Sequence, residues 1–216
     1  MSAENVTIEQ VPKGRLAIWL LIAGELIIFG GFIACYLLAR FEYGGAFPAA
    51  MVDSTGGDII LWYWGAINTT ILLASSWSIV KAHEAAINNE LGKIKTYSLI
   101  TIGLAAVFMI IKLGIEWPHD FHLGASLRSF DWLPTEYGAI AADGGFESVK
   151  TLFWSYYFIM TGFHGLHVVI GALAIFIVML GASKGKNLHR VELAGMYWHM
   201  VDLIWIFLFP MFYLAQ

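Results

Sequence analysis

The chain has 216 residues, 59% of them apolar and 13% charged, with a mean hydropathy of +0.71. Soluble domains carry roughly 45–50% apolar and about 25% charged residues, so this composition excludes a soluble globular protein and implies an integral membrane protein with one helical domain. Cys35 is the only cysteine, which excludes an internal disulfide and a cysteine-rich zinc or iron–sulfur site, and the net charge of −4 says less than where the charges fall.

Residues 1–15 read as a short polar tail on the cytoplasmic side. They do not read as a signal peptide, because the apolar run that follows is too long for an h-region and lacks a small-residue cleavage site. Residues 16–216 read as a single all-α domain, an integral membrane bundle of five transmembrane helices. The apolar runs place these at about 16–38, 59–80, 97–115, 151–180 and 194–214. The fourth run contains no charged residue. Its thirty residues exceed the bilayer, so it is expected to tilt or to project into water.

Orientation follows from the basic residues beside the spans. Lys13, Arg15, Lys81, Lys93, Lys95, Lys184, Lys186 and Arg190 share one side; Arg40, Arg128 and Lys150 lie on the other. Eight against three puts the N-terminus inside and the C-terminus outside. Trp62, Trp64, Trp117 and Trp154 are expected at the outer interface, and Trp19, Trp77, Tyr97 and Trp198 at the inner one. The longest loop, Trp117 to Lys150, is acidic and reads as a solvated outer cap.

Polar side chains inside the apolar runs are the candidate functional residues, because each is costly there and needs a partner. Glu25 lies near the middle of the first helix and is expected to be protonated, paired or both. His164 and His167 stand three apart, on one face of the fourth helix. Counted at about 1.5 Å per residue, Glu25 and His164 lie at the same depth and are placed to hydrogen-bond if their helices touch. Either interhelical glue or a proton-linked role fits this pair. His199 and Asp202, three apart in the fifth helix, fit a structural pair or a proton-handling one. Gly65, Asn68, Thr69, Leu72, Ser75 and Ser76 form a small and polar stripe on the second helix. Together with Gly162 and Gly165 they mark close helix packing. Lys112 and Glu116, four apart, read as an ion pair at the outer interface. The histidines also admit a haem or metal site on His164 and His167 with His199 or Glu25. No nucleophile elbow, phosphate-binding loop or basic nucleic-acid face is present.

Four blocks taken together resemble subunit III of the haem-copper terminal oxidases: GELIIFGGF, NTTILLASS followed by KAHEAA, TGFHGLHVVIG, and YWHMVDLIWIFLFPMFYL. Their order and spacing match over nearly all the chain after Arg15. The resemblance implies the five-helix bacterial form, lacking the first two helices of the seven-helix form, in a multi-pass protein of the bacterial cytoplasmic membrane. It implies a non-catalytic subunit without haem or copper of its own. The redox centres would lie in partner subunits I and II of a complex that reduces dioxygen to water and pumps protons. A small subunit IV, bound phospholipid, and cytochrome c or quinol as electron donor belong to the same picture. Glu25, His164, His167, His199 and Asp202 match the family's intramembrane polar positions. An independent membrane haem or metal enzyme using His164, His167 and Glu25, or an accessory subunit of a nitric oxide reductase, are the alternatives.

Overall fold

The computed structural model describes residues 13–47, 59–118 and 145–214. The expectations for the N-terminal tail up to residue 12, and for most of the acidic loop, lie outside the described residues. Five long helices are present among those described: α1 (Lys13–Tyr43), α2 (Ile59–Ile87), α3 (Leu91–Ile111), α4 (Gly145–Ala182) and α5 (His189–Phe209). π-helical turns continue α3 over Lys112–Glu116 and α5 over Pro210–Leu214.

Among the described residues, four stretches are long and apolar enough to cross a membrane: Lys13–Tyr43, Leu91–Glu116, Thr151–Ala182 and His189–Tyr213. α2, 29 residues long, carries Asn68, Thr69, Thr70, Ser75 and Ser76 among its apolar residues. Helix ends also extend past the apolar runs. α3 begins at Leu91 rather than Tyr97, and α4 at Gly145 rather than Thr151, because polar turns outside a span still gain helical hydrogen bonds.

Two connections are closed by the same device. After α2, Glu90 N–H reaches Ala85 O and Asn89 N–H reaches Ala86 O; after α4, Lys186 N–H reaches Gly181 O and Gly185 N–H reaches Ala182 O. These are Schellman caps. They need a left-handed residue, supplied by Asn89 at φ 56° and Gly185 at φ 72°.

α2, α3, α4 and α5 form a closed ring in which each helix packs on two neighbours, and α1 lies outside it against α4 and α5. The small stripe of α2 faces α5. A Cβ on Gly65 would meet the Phe209 ring at 2.8 Å. Trp205 Nε1 donates to Thr69 Oγ1 at 3.1 Å, and Trp198 Nε1 donates to Ser75 Oγ at 3.0 Å. Leu72 and Ser75 are buried between them. Trp198 is therefore a core residue of the ring and not an interfacial anchor; Trp19 and Trp77 do remain exposed. On α4, Cβ atoms at Gly162 and Gly171 would meet Trp117 at 3.2 Å and Trp198 at 2.9 Å. Gly165 faces Met109 across a crevice of about 240 Å³ between α3 and α4. α1 is tied to the rest at three heights. Arg15 Nη2 meets Glu192 Oε1 at 2.7 Å at its start, Tyr36 OH donates to Met211 O at 3.2 Å near its end, and Glu25 bridges to α4 between them.

Candidate functional site

The most developed polar site lies at the end of the bundle where α3 and α5 finish, and it is built on Lys112 and Glu116. Both side chains are buried, at 3% and 0% exposure. Lys112 Nζ donates to Glu116 Oε2 at 2.6 Å, to Tyr157 OH at 2.9 Å and to Tyr213 OH. Those three bonds use every donor of an ammonium group. Tyr213 OH donates in turn to Glu116 Oε2 at 2.5 Å, and Asn68 Nδ2 donates to Glu116 Oε1 at 2.7 Å. The two tyrosine hydroxyls lie 3.1 Å apart. The ammonium also sits 4.8 to 5.2 Å from the ring centroids of Tyr157, Tyr213 and Trp205, close enough for cation–π attraction. A buried ion pair survives only when its remaining valences are met, and here α2, α3, α4 and α5 each meet some.

The backbone is adapted to this demand. The π turn of α3 spans Lys112 to Glu116, and the π turn of α5 carries Tyr213. Such single-turn insertions re-aim side chains at the cost of regular hydrogen bonding. Pro210 starts the second one; it has no N–H to give to the helix, so α5 ends there in any case. The expected ion pair between Lys112 and Glu116 is present, but it lies inside the bundle, where four helices surround it, and not at a water-facing interface.

A second polar layer lies deeper. His167 Nε2 is 2.9 Å from Glu25 Oε2, a contact whose alignment falls short of a hydrogen bond. His167 Nδ1 meets the carbonyl of Phe163 at 2.7 Å, which fixes the ring. Phe29 and Phe163 pack beside it. Glu25 thus pairs with His167 and not with His164. The reason is helical: two residues three apart point about 60° apart around the axis. His167 faces α1, while His164 faces α3 and α5. His164 lies wholly buried between Phe108 and Trp205, with ring centroids 6.0 and 5.2 Å away, and neither ring nitrogen bonds to a described group.

His199 is likewise held by a residue other than the expected one. Its Nδ1 lies 2.6 Å from Ser76 Oγ. Asp202 is buried, with Ser76 as its polar neighbour and neither carboxylate oxygen in hydrogen-bonding alignment with a described group. At the far end of α2, outside the apolar run, Lys81 Nζ donates to Glu84 Oε2 at 2.7 Å. That bond holds the Glu84 carboxyl below its ordinary pKa and the Lys81 ammonium above its own.

Among the described residues, no group of three or more His, Cys, Asp or Glu side chains converges as a metal site. Glu116 and His119 do stand at Glu-x-x-His spacing. Both oxygens of Glu116 are already committed, and His119 lies outside the described residues. Sequence reasoning missed Tyr157, Tyr213 and the linking role of Asn68. Depth was the available signal: all three lie within about three turns of the same end of their helices.

A model of the family "Cytochrome c oxidase subunit III" matches residues 135–216. "Cytochrome c oxidase subunit 3" of Bacillus subtilis is 30% identical over 217 residues, covering 99% of this chain and 91% of that protein. The mouse protein of the same name is 29% identical over 213 residues, covering 94% of this chain and 70% of its own length. "Heme-copper oxidase subunit I+III" of Aeropyrum pernix is 27% identical over 236 residues, covering 98% of this chain but 25% of that longer protein.

Two predictions follow from the geometry. Lys112→Met leaves Glu116 buried and uncompensated, a loss of about 3–5 kcal/mol for a broken buried pair. Lys112→Met with Glu116→Gln keeps acceptors and donors for Asn68 and Tyr213, and is expected to recover most of that loss. Thermal unfolding of the detergent-solubilised protein measures both; equal loss in the single and double variants would show that the uncompensated Glu116 charge is not the source of the loss. For the histidines, His164→Phe is expected to unfold at the wild-type temperature, since the ring packs among aromatics without a bond. His167→Phe is expected to lose about 1–3 kcal/mol by stripping Glu25 of its partner. A His164→Phe variant as unstable as His167→Phe would contradict the assigned orientations.

Proposed function

This chain belongs to the cytochrome c oxidase subunit III family, and we propose that it is the non-catalytic subunit III of a respiratory haem-copper oxidase that reduces dioxygen to water and pumps protons. The observation that carries the reading is the match to the Bacillus subtilis protein over nearly the full length of both chains. In this reading haem and copper reside in subunits I and II, a small subunit IV completes the complex, and cytochrome c, the donor in the relatives' name, supplies electrons. The chain packs on subunit I and supports its stability and proton uptake. The joining of subunits I and III in one Aeropyrum pernix protein supports that pairing. The internal chemistry agrees with a non-redox role. Lys112, Glu116, Asn68, Tyr157 and Tyr213 satisfy one another across helices, and Glu25, His164 and His167 do not converge on one point, as an independent haem or metal enzyme would require. The relatives described above carry oxidase names, which leaves the nitric oxide reductase alternative without a supporting observation.

The four apolar helices make this a multi-pass membrane protein. We place it in the bacterial cytoplasmic membrane with five spans, α2 being the fifth. Its seat in the ring between α3 and α5 supports this, because the ring buries the small and polar stripe away from lipid. The excess of basic residues supports an inside N-terminus and an outside C-terminus. Residues 16–216 then form one domain. Glu25, His164, His167, His199 and Asp202 act there as intramembrane polar contacts, and Gly65, Asn68, Thr69, Ser75, Ser76, Gly162 and Gly165 as packing positions. Bound phospholipid would cover the faces left to the bilayer.

Topology is tested by cysteine labelling with an impermeant maleimide after replacing Cys35. A cysteine at Lys93 is expected to stay unlabelled in intact cells, and one at Ser126 to be labelled; the reverse pattern would invert the chain. The functional reading is tested by purifying the complex through a tag on this chain. Haem and copper are expected to copurify with it and to be absent from the chain once isolated. The oxidase stripped of this chain is expected to keep part of its activity, with a larger deficit at high pH where protons are scarce. Stoichiometric haem on the isolated chain would overturn the subunit assignment.

A further inference from the structure

Resting on the membrane reading of the apolar helices, we propose that the α2–α3 and α4–α5 connections together form a binding site for the headgroup phosphate of an anionic phospholipid. Lys95, Lys184, Lys186 and Arg190 hold it, and all four are exposed. The two connections touch: a Cβ on Gly185 would stand 3.9 Å from Leu91 Cδ1. Lys184 and Lys186 flank Gly185 in the chain. Lys95 follows Leu91 by four residues, so both lie on one face of α3. Arg190 opens α5, where its N–H donates to Asn187 O at 2.9 Å. The Schellman caps hold both loops, because the chain around each left-handed residue is hydrogen-bonded back to the helix before it.

The charges at this end are unevenly matched. Every described carboxylate here has a cation of its own: Glu84 has Lys81, Glu90 has Lys93 and Glu192 has Arg15. Among the described residues, no carboxylate lies within ion-pair distance of Lys95, Lys184, Lys186 or Arg190. An excess of basic residues on one side suffices to orient a membrane protein, and scattered lysines supply it equally well. Orientation therefore explains the number of cations but not their gathering, unpaired, on two connections in contact. Like charges so placed repel one another, and an anion seated among them removes that cost.

Depth identifies the anion. Each of the four cations stands within four residues of an end of a candidate span, at Leu91, Ala182 or His189. That is the level of lipid headgroups. Leu91 and Leu180, 37% and 48% exposed, lie next to them on the hydrocarbon side. A phospholipid answers both features at once, with its phosphate among the cations and its acyl chains along the leucines. A free phosphate or an acidic soluble segment would meet the cations and leave the leucines bare. Arg190 can take two phosphate oxygens through its planar fork, and each lysine adds a point charge. With the nearby carboxylates already paired, the cluster offers no partner to the ammonium of a zwitterionic headgroup. The site therefore selects lipids whose only headgroup charge is the phosphate.

The test uses the whole oxidase, purified through a tag on this chain and reconstituted in phosphatidylcholine nanodiscs. Phosphatidylglycerol with a photoactivatable diazirine in its headgroup is added at low mole fraction, and adducts are mapped by peptide mass spectrometry. They are expected on residues 91–95 or 182–190 of this chain. The combined variant Lys95→Gln, Lys184→Gln, Lys186→Gln and Arg190→Gln is expected to lower their yield about tenfold. Lys81→Gln with Lys93→Gln, which removes paired cations only, is expected to keep the wild-type yield. The wild-type adduct map decides the site even where the fourfold variant fails to insert. Equal yield from a phosphatidylcholine probe, or adducts only elsewhere, would overturn the site, as would an undiminished yield in the fourfold variant. Loss of the adduct on adding inorganic phosphate at the probe's concentration would assign the cluster to a free anion and overturn the lipid. Purification of this chain without haem would refute the subunit III role, while the adducts still decide the site. A chain absent from the membrane fraction would refute both.

Discussion

The bundle depends first on the buried ion pair of Lys112 and Glu116. Two charges removed from water cost several kcal/mol each, and their attraction offsets this only when their other hydrogen-bonding positions are filled. Lys112 takes Tyr157 from α4 and Tyr213 from α5; Glu116 takes Asn68 from α2 and Tyr213 again. One pair on α3 therefore sets the rotation and depth of the other three ring helices. Apolar packing alone would set them poorly, because lipid tails are as apolar as leucine and give helices little reason to prefer one register. The two π turns belong to the same constraint. They occur where α3 and α5 present the residues of this network, and regular helix is given up where side-chain aim matters most.

α1 is held differently. It meets α4 and α5 through single polar contacts at three heights, Arg15 with Glu192, Glu25 with His167, and Tyr36 with a backbone carbonyl. Between them lie aromatic contacts such as Phe29 and Phe32 against Phe163. The Arg15 pair is exposed, and exposed pairs contribute at most about 1 kcal/mol. The tethers fix which way α1 faces without enclosing it.

How far this was legible in the sequence depended on the kind of signal. Long apolar runs, broken only briefly by polar residues such as Glu25 and Asp202, announced all five helices, because a span needs about 20 such residues and little else produces them. The stripe on α2 could be read as a helix face, since Gly65, Asn68, Thr69, Leu72, Ser75 and Ser76 recur at helical spacing. Which helix it faced could not, since spacing carries no information about the neighbour. The pairing of Glu25 failed for a related reason. Depth was counted correctly, and it allowed either histidine; the rotation of α4 about its own axis decides between them, and that rotation is set by the tertiary contacts of Phe163 and Trp205. The Lys112–Glu116 pair was legible from its spacing, but its burial was not, because a lysine near a helix end usually reaches water. Its burial is visible only once the ring closes over it with Tyr157 and Tyr213, residues 45 and 101 positions away.

The same separation of scales bears on the proposed non-redox role of the polar residues. A redox or metal centre needs ligands converging on one point, and convergence requires side chains from different helices to share one depth and one direction. The buried ionisable residues share neither one depth nor one direction. His167 turns to α1, His164 to α3 and α5, His199 to Ser76 on α2, and Glu116 to the lysine on its own helix. Each interhelical contact specifies one pairing of neighbours, so the polar groups together encode the order and register of the helices. A chain built this way is well suited to hold a fixed shape beside a catalytic partner. The chemistry then depends on that partner, and the task left to this chain is to present a defined surface to it.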